Sequence, residues 1–347
     1  MNIKSEKKKI LKTIYPPITS YPTHANILST ALINDESIIW FYDYYIQLFG
    51  GKDLSEYCYV DFFAPIAWKC CPWIHYQRIN REFIEKKWSS ICEFLVDSID
   101  SGYYAFLYLN QFYISDFPWA YQTKNFMHDT YVFGYDAQEE VFYTADFYKH
   151  KYGHAKVNFT EMEKAFSTTN LSNINDFLQG IVLVAPVKYE KYNFNIKRTI
   201  SFINDFLNSE TGLKSYTDGY RHDVEQNSTE FCFGMDVYKL LEEFLTLVSC
   251  GNSCKDYRPF NVLVDHKTLM LMRIEYLGVN GYLKNWKNIY MKYEVIRKNT
   301  KTLHNIILKI FVSGNMGKIE NAINLIRQIA VDEKVALEMI IENLSLK

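Results

Sequence analysis

The chain has 347 residues, of which 48% are hydrophobic and 22% charged, with a formal charge of −2. That balance excludes a disordered chain and leaves no basic field for nucleic acid or an anionic membrane surface. No run reaches the roughly 18 apolar residues of a membrane span, and Lys4 and Lys7 to Lys9 are not followed by the apolar stretch of a secretion signal, so a cytoplasmic protein is expected.

The length favours two domains. Aromatic residues make up 17%, including 28 Tyr and 24 Phe, and imply large buried or ligand-facing rings. Seven cysteines, an odd number, include the adjacent pair Cys70-Cys71 and the spaced pair Cys250 and Cys254. Neither pair has a His pair at zinc-site spacing, so reduced thiols and no metal are expected.

Taken in order, Ile14 to Pro22 is a Pro-punctuated lead-in to a helix over Ala25 to Ile33, with Thr23 as its N-cap. Trp40 to Leu48 is a dense aromatic patch closed by Gly50-Gly51. Prolines 65 and 72 break the apolar stretch Tyr57 to Trp73. Trp88 to Ser101 has Ile91, Phe94, Leu95 and Ile99 at helical spacing and stops at Gly102. Tyr103 to Leu109 is a strand, followed by an aromatic loop through Trp119 and Tyr121.

Thr130 to Tyr135 and Glu140 to Ala145 are rich in β-branched and aromatic residues and flank the polar Asp136 to Glu139, which predicts a β-hairpin. Antiparallel pairing then brings His128, before the first strand, beside Asp146, after the second. An imidazole held by a carboxylate is the base-and-orienter half of a catalytic triad. A structural His and a turn-capping Asp fit the same letters. Phe159 to Phe166 predicts a short helix and Ile181 to Val187 a buried strand. The polar stretch 188–196 marks a boundary, after which the period is helical through segments 202–207, 237–248, 259–277, 290–311 and 318–344, broken at Gly314 and Gly317. The expected architecture is α+β over 1–190 followed by an all-α domain over 195–347.

The order helix, long helix, strand, His on the next strand and Asp at the end of its hairpin resembles the papain-like cysteine peptidase fold. The bacteriocin-processing branch is the nearest likeness: His128, Gly134-Tyr135-Asp136 and Asp146 match its pattern. The whole chain resembles the butirosin biosynthesis acyltransferase family, through Asp256-Tyr-Arg-Pro and Asp265-His266-Lys267 leading into Arg273 to Leu277.

That resemblance implies an amide-forming acyltransferase. It would move an acyl group from the phosphopantetheine thioester of an acyl or peptidyl carrier protein to a small-molecule amine, in the making of peptide-like or polythioamide antibiotics, without a further cofactor. The family's nucleophilic Cys at the head of the first helix corresponds to Ala25 here. Three explanations stand open: a substituted residue, a natural loss that leaves a binding or self-resistance protein, or direct attack of the amine with His128 as general base. Replacement of the thiol by Cys58 and a leader-peptide peptidase are the remaining alternatives. His24, Asn26, Trp40, Trp119 and Tyr121 are candidate substrate-binding residues. Against that, helix capping explains His24 and Asn26, and core packing the aromatics. His266 and Arg273, seven apart, share a helix face that is either solvated or in contact with a phosphate.

Overall fold

The computed structural model describes residues 7–65, 67–148, 151–171, 179–189, 191–211 and 228–345. In chain order its strands are β1 (Lys8–Ile10), β2 (Leu48–Gly51), β3 (Val60–Phe62), β4 (Ile74–Ile79), β5 (Tyr104–Asn110), β6 (Met127–Asp136), β7 (Val141–Tyr148), β8 (Lys151–Asn158), β9 (Ile181–Pro186) and β10 (Phe231–Phe233). Its α-helices are α1 (Pro22–Ala31), α2 (Ile38–Tyr44), α3 (Ala67–Cys70), α4 (Arg81–Lys87), α5 (Ile91–Asp100), α6 (Phe159–Ser167), α7 (Ile196–Leu207), α8 (Asp236–Ser249), α9 (Arg258–Val279), α10 (Trp286–Ser313) and α11 (Ile319–Asn343). The protein is α+β, with antiparallel sheets and a C-terminal helical region. Among the described residues no helix is long and apolar enough to cross a membrane.

The chain forms two compact units, one of residues 1–37 and 66–190, the other of residues 38–65 and 191–347. The expected division at 190/195 therefore differs in one stretch, 38–65, which joins the second unit. The reason is pairing: β2 is hydrogen-bonded to β3 on one side and to β10 on the other. The second unit is accordingly not all-α, because it carries this three-stranded sheet.

The first unit is built on a seven-stranded antiparallel sheet in the order β4-β9-β5-β6-β7-β8, with β1 paired to the far half of β6. Strand β6 is long enough to take β5 along Met127–Val132 and β1 along Gly134–Asp136. Gly134 permits the second pairing, since a Cβ there would stand 2.8 Å from the Lys9 carbonyl oxygen and 2.9 Å from Ile10 Cα. Period-two alternation gives each face its own partners. Ala105, Leu107 and Leu109 of β5 and Val132 of β6 pack with Phe94, Leu95 and Ile99 of α5 and Met162 of α6 in one buried cluster.

The opposite face carries Tyr131 and meets α1, where Thr30 Oγ1 lies 2.5 Å from the Tyr131 hydroxyl. Helix α1 starts at Pro22, three residues before the expected start, and has no side-chain N-cap. Proline at the first helical position has its φ already set and lacks only an N–H the helix does not use there, so the helix begins at the ring and Thr23 falls inside the first turn. Helix α5 is capped by Ser90, whose side chain accepts from the Glu93 N–H, and its C-terminal Gly102 has φ +84°, open to glycine.

The second unit's helices enclose a charged network. Lys267 on α9 is fully buried and donates to Glu333 Oε2 on α11 at 2.7 Å and to His266 Nδ1 at 2.9 Å. Tyr238 and Tyr293 also donate to Glu333. His266 Nε2 donates to the Ile46 carbonyl at 2.7 Å, so Nδ1 is the unprotonated nitrogen that Lys267 meets. Burial, with the Lys267 charge beside it, lowers the His266 pKa well below the ordinary value and keeps the ring neutral. Arg273 reaches the C-terminal end of α2, donating to the carbonyls of Tyr42 and Tyr45, each at 2.7 Å. The last carbonyls of a helix lack the N–H donors of a following turn, and a cation is favoured at that end. Both readings of His266 and Arg273, as a solvated face and as a phosphate contact, are therefore corrected. The two share a face as spaced, but it is turned into the core.

Candidate active site

The hairpin of β6 and β7 holds the candidate pair. Their ladder runs from Asp136↔Val141 to Tyr131↔Ala145, with a register shift between Val132 and Gly134, and β7 continues on β8 as far as Tyr148↔Lys151. The next opposed positions beyond Tyr131↔Ala145 are Thr130 and Asp146, which share a face with His128 two residues further along β6.

His128 Nδ1 lies 3.2 Å from Asp146 Oδ1 and 3.3 Å from Oδ2. A carboxylate only accepts, so the Nδ1 proton is donated to it and Nε2 is left to face other chemistry. Asp146 is fully buried. Thr130 Oγ1 donates to its Oδ2 at 2.9 Å, the Phe147 N–H donates to Oδ1 at 2.6 Å, and Gln111 Nε2 stands 3.5 Å from Oδ2. These donors fix the carboxylate in place before any ligand arrives.

Asp129 adds a second carboxylate, its Oδ1 3.7 Å from His128 Nδ1. Burial alone would lower the His128 pKa. The Asp146 and Asp129 charges, with the Asp146 hydrogen bond, outweigh it and raise the pKa to about 9. These charges favour the imidazolium form of His128 at neutral pH. Its side chain is 25% exposed.

The loop from 111 to 126 supplies the surroundings. Asn110 ties its two ends: Nδ2 donates to Asn125 Oδ1 at 2.8 Å, and Oδ1 accepts from the N–H groups of Phe112 and Phe126. Phe126 stacks on His128 with centroids 5.7 Å apart, and Trp119 meets Phe126 edge-on at 4.7 Å. Trp119 is 43% exposed, so an indole face stands open one ring away from the imidazole. Tyr121 is half-buried, its N–H held by the Phe117 carbonyl at 2.8 Å, and Phe117 is buried against Tyr148.

The other expected residues lie elsewhere. Ala25 is fully buried in the first turns of α1 and brings a methyl group only. Asn26 is also fully buried. Its Oδ1 accepts from the Tyr152 hydroxyl at 2.9 Å, and its Nδ2 has no partner among the described residues. His24 is buried in the same turn. Because Asn26 meets Tyr152 beside Phe147, while Thr30 meets Tyr131 one step further in, the head of α1 points to the His128 end of the strands. It does so on the opposite face. Among the described residues the polar and ring contacts of His128 are to Asp146, Asp129 and Phe126, and none reaches α1.

Asn26 Oδ1 is engaged by Tyr152, which leaves Nδ2 as its open donor. Trp40 is a core ring of the second unit, 2% exposed, against Phe41, Tyr44 and Tyr45. Cys58 is fully buried, and burial pushes its thiol far above the usual range, so it supplies no thiolate.

Sequence reasoning did not find Thr130, Asp129, Asn110 or Phe126. Thr130 was within reach, since it stands two residues from His128 on a strand and so on the same face. Among the described residues no group of three or more His, Cys, Asp or Glu side chains could hold a metal ion. A cleft of about 840 Å³ in the second unit is lined by Lys52, Asp53, Glu56, Tyr57, Tyr59 and Glu230, and contains neither a His nor a Cys. Compared with known proteins, the chain matches no family model and no curated protein.

Proposed function

We propose that the protein is an amide-forming acyltransferase that moves an acyl group from a carrier-protein thioester to an amine without an acyl-enzyme, and that His128 and Asp146 handle the proton. The observation that carries this reading is the fixed imidazole: Nδ1 is committed to a buried carboxylate and Nε2 makes no hydrogen bond among the described residues. The papain-like reading of the first unit draws support from the order of its elements, α1, α5, β5, then His128 opening β6 and Asp146 near the end of β7.

The amine nitrogen attacks the thioester carbonyl and the C–S bond breaks. The His128 imidazolium gives its Nε2 proton to the departing sulfur, and the neutral ring takes a proton back from the nitrogen that has become the amide. The charge and the geometry both suit the proton donor, since a fixed cation beside developing negative charge is stabilising where water is scarce. Trp119 and Phe126 offer an apolar approach for the acyl chain. The proposed setting is the cytoplasm, where the seven cysteines, all free, stay reduced. Papain-like covalent catalysis finds no support at position 25, which has no thiol and lies on a helix with which His128 makes no polar or ring contact among the described residues.

The test is to incubate the protein with an acyl-loaded carrier and a panel of amines and to follow amide by mass spectrometry. Amide should form, His128→Ala should abolish it, and Ala25→Cys should gain no acyl-protein adduct. A covalent acyl group on Ala25→Cys would restore the thiol mechanism. Absence of amide, or amide unchanged by His128→Ala, would sink the enzyme reading and leave a binding protein, which the missing nucleophile also fits.

A further inference from the structure

The turn that follows Trp119 is pinned residue by residue. The N–H groups of Tyr121 and Gln122 donate to the carbonyls of Phe117 and Phe112, at 2.8 and 2.9 Å, and those of Thr123 and Lys124 both donate to the Ala120 carbonyl at 3.0 Å. Asn125 is held through its side chain by Asn110 at 2.8 Å. The backbone of Lys124 is therefore fixed, and its ammonium group lies 5.8 Å from the Phe126 ring centroid. His128 stacks on the same ring with centroids 5.7 Å apart. One aromatic ring thus stands between or beneath two cationic side chains.

The two cations differ in their partners. His128 turns Nδ1 to Asp146, with Asp129 on the same nitrogen, so its carboxylates lie away from Nε2. The Lys124 side chain is exposed, and its ammonium makes neither a hydrogen bond nor an ion pair among the described residues. A lone surface lysine means little. This one is held by a pinned turn against the ring that carries the candidate imidazole.

That setting discriminates among acyl groups. A chain laid along Trp119 and Phe126, with its thioester carbonyl at Nε2, has apolar rings beside its methylenes and an unpaired ammonium at its far end. A terminal methyl gains nothing from that charge, and a terminal amine is repelled by it. A terminal carboxylate accepts a charge-assisted hydrogen bond. Because Lys124 and His128 share one ring, the chain between the two ends is short.

We infer that the acyl group brought to His128 is a short dicarboxylic one, bound as its half-thioester with the free carboxylate on Lys124. This rests on the acyl-transfer reading for the reacting end and adds Lys124 as the residue that selects the other end.

Glutaryl and pentanoyl N-acetylcysteamine thioesters, equal in chain length and different in terminal charge, test it by calorimetry on the full chain without amine. At low ionic strength the wild type should bind the glutaryl thioester about three- to tenfold more tightly, as a partly exposed ion pair allows. The margin should shrink as salt is raised. Lys124→Met should erase it by weakening the glutaryl thioester alone, and Lys124→Glu should invert it in favour of the ω-aminopentanoyl thioester. Equal binding of the glutaryl and pentanoyl thioesters, no binding of either, or a margin that survives Lys124→Met would overturn the inference. The same acyl groups loaded on a carrier protein and offered an amine keep the two readings apart. A binding margin with no amide supports Lys124 as the carboxylate anchor and sinks the acyltransferase reading, whereas amide formed from both at equal rates sinks the anchor alone.

Discussion

Thr130 Oγ1 donates to Asp146 Oδ2 at 2.9 Å from the neighbouring strand, and the same oxygen lies 3.3 Å from His128 Nδ1. Two residues of β6 on one face thus share a single carboxylate on β7. Replacing Thr130 by Val keeps the shape and removes the donor. With a buried charged acceptor, the expected loss is about 1.5–3 kcal/mol, read by chemical denaturation. The His128 resonance should also shift, because Asp146 gains freedom to turn.

The charge on His128 has a sign that can be checked. Its folded pKa of about 9 lies above the ordinary value of about 6.5, so its contribution to stability is present in full below about pH 6.5 and is lost as pH rises through about 9. His128→Gln should therefore cost more stability near pH 6 than near pH 10. An NMR titration should place the wild-type midpoint near 9 and bring it down in Asp146→Asn. If the imidazolium is the proton donor, amide formation should fall as the pH passes that midpoint.

The buried network of the second unit should be intolerant of half-removal. Lys267 and Glu333 are both fully buried, with Nζ 2.6 Å from Oε1. Glu333→Gln leaves an ammonium group without its counter-charge, and Lys267→Met leaves a carboxylate held only by two hydroxyls. Each should destabilise by about 3–5 kcal/mol, whereas Lys267→Met combined with Glu333→Leu should cost less than the two singles added together. Equilibrium denaturation of the three variants gives the coupling.

Gly134→Ala places a methyl group against the backbone of β1, which cannot yield as a side chain would. We expect a loss of about 1–3 kcal/mol and faster hydrogen exchange at the amides of Lys8 to Ile10, with the β5–β6 amides unaffected.

The hairpin was legible because its strands alternate and its polar turn is compact, and the meeting of His128 with Asp146 follows from register alone. Strands β4 and β8 were not, since His75, Gln77 and Arg78 in one and Lys151, His154 and Lys156 in the other are exposed, which leaves too few apolar letters to show a period. The four long helices of the second unit, α8 to α11, were read nearly to their ends, whereas α7 begins at Ile196, well before the segment 202–207, and α2 was read only as an aromatic patch. What their faces meet was not: Lys267 is polar by its letter and buried because Glu333, 66 residues away, answers it. Nor could spacing tell which face of the sheet α1 covers. That is decided by Tyr131 and Tyr152, which put α1 on the face opposite the one that carries His128 and Asp146.

The excursion of residues 38–65 constrains how this molecule can be cut. A fragment ending at residue 190 would leave the aromatic rings of Trp40, Phe41 and Tyr45 without the helices that bury them. A fragment starting at 191 would lack β2 and β3 and strip Arg273 of the carbonyls it satisfies. Splitting the gene at the apparent linker would thus yield two incomplete pieces that rescue each other only by reassociating. A cell making the protein from its N-terminus must hold an unfinished aromatic segment through more than a hundred residues of synthesis before its partners emerge.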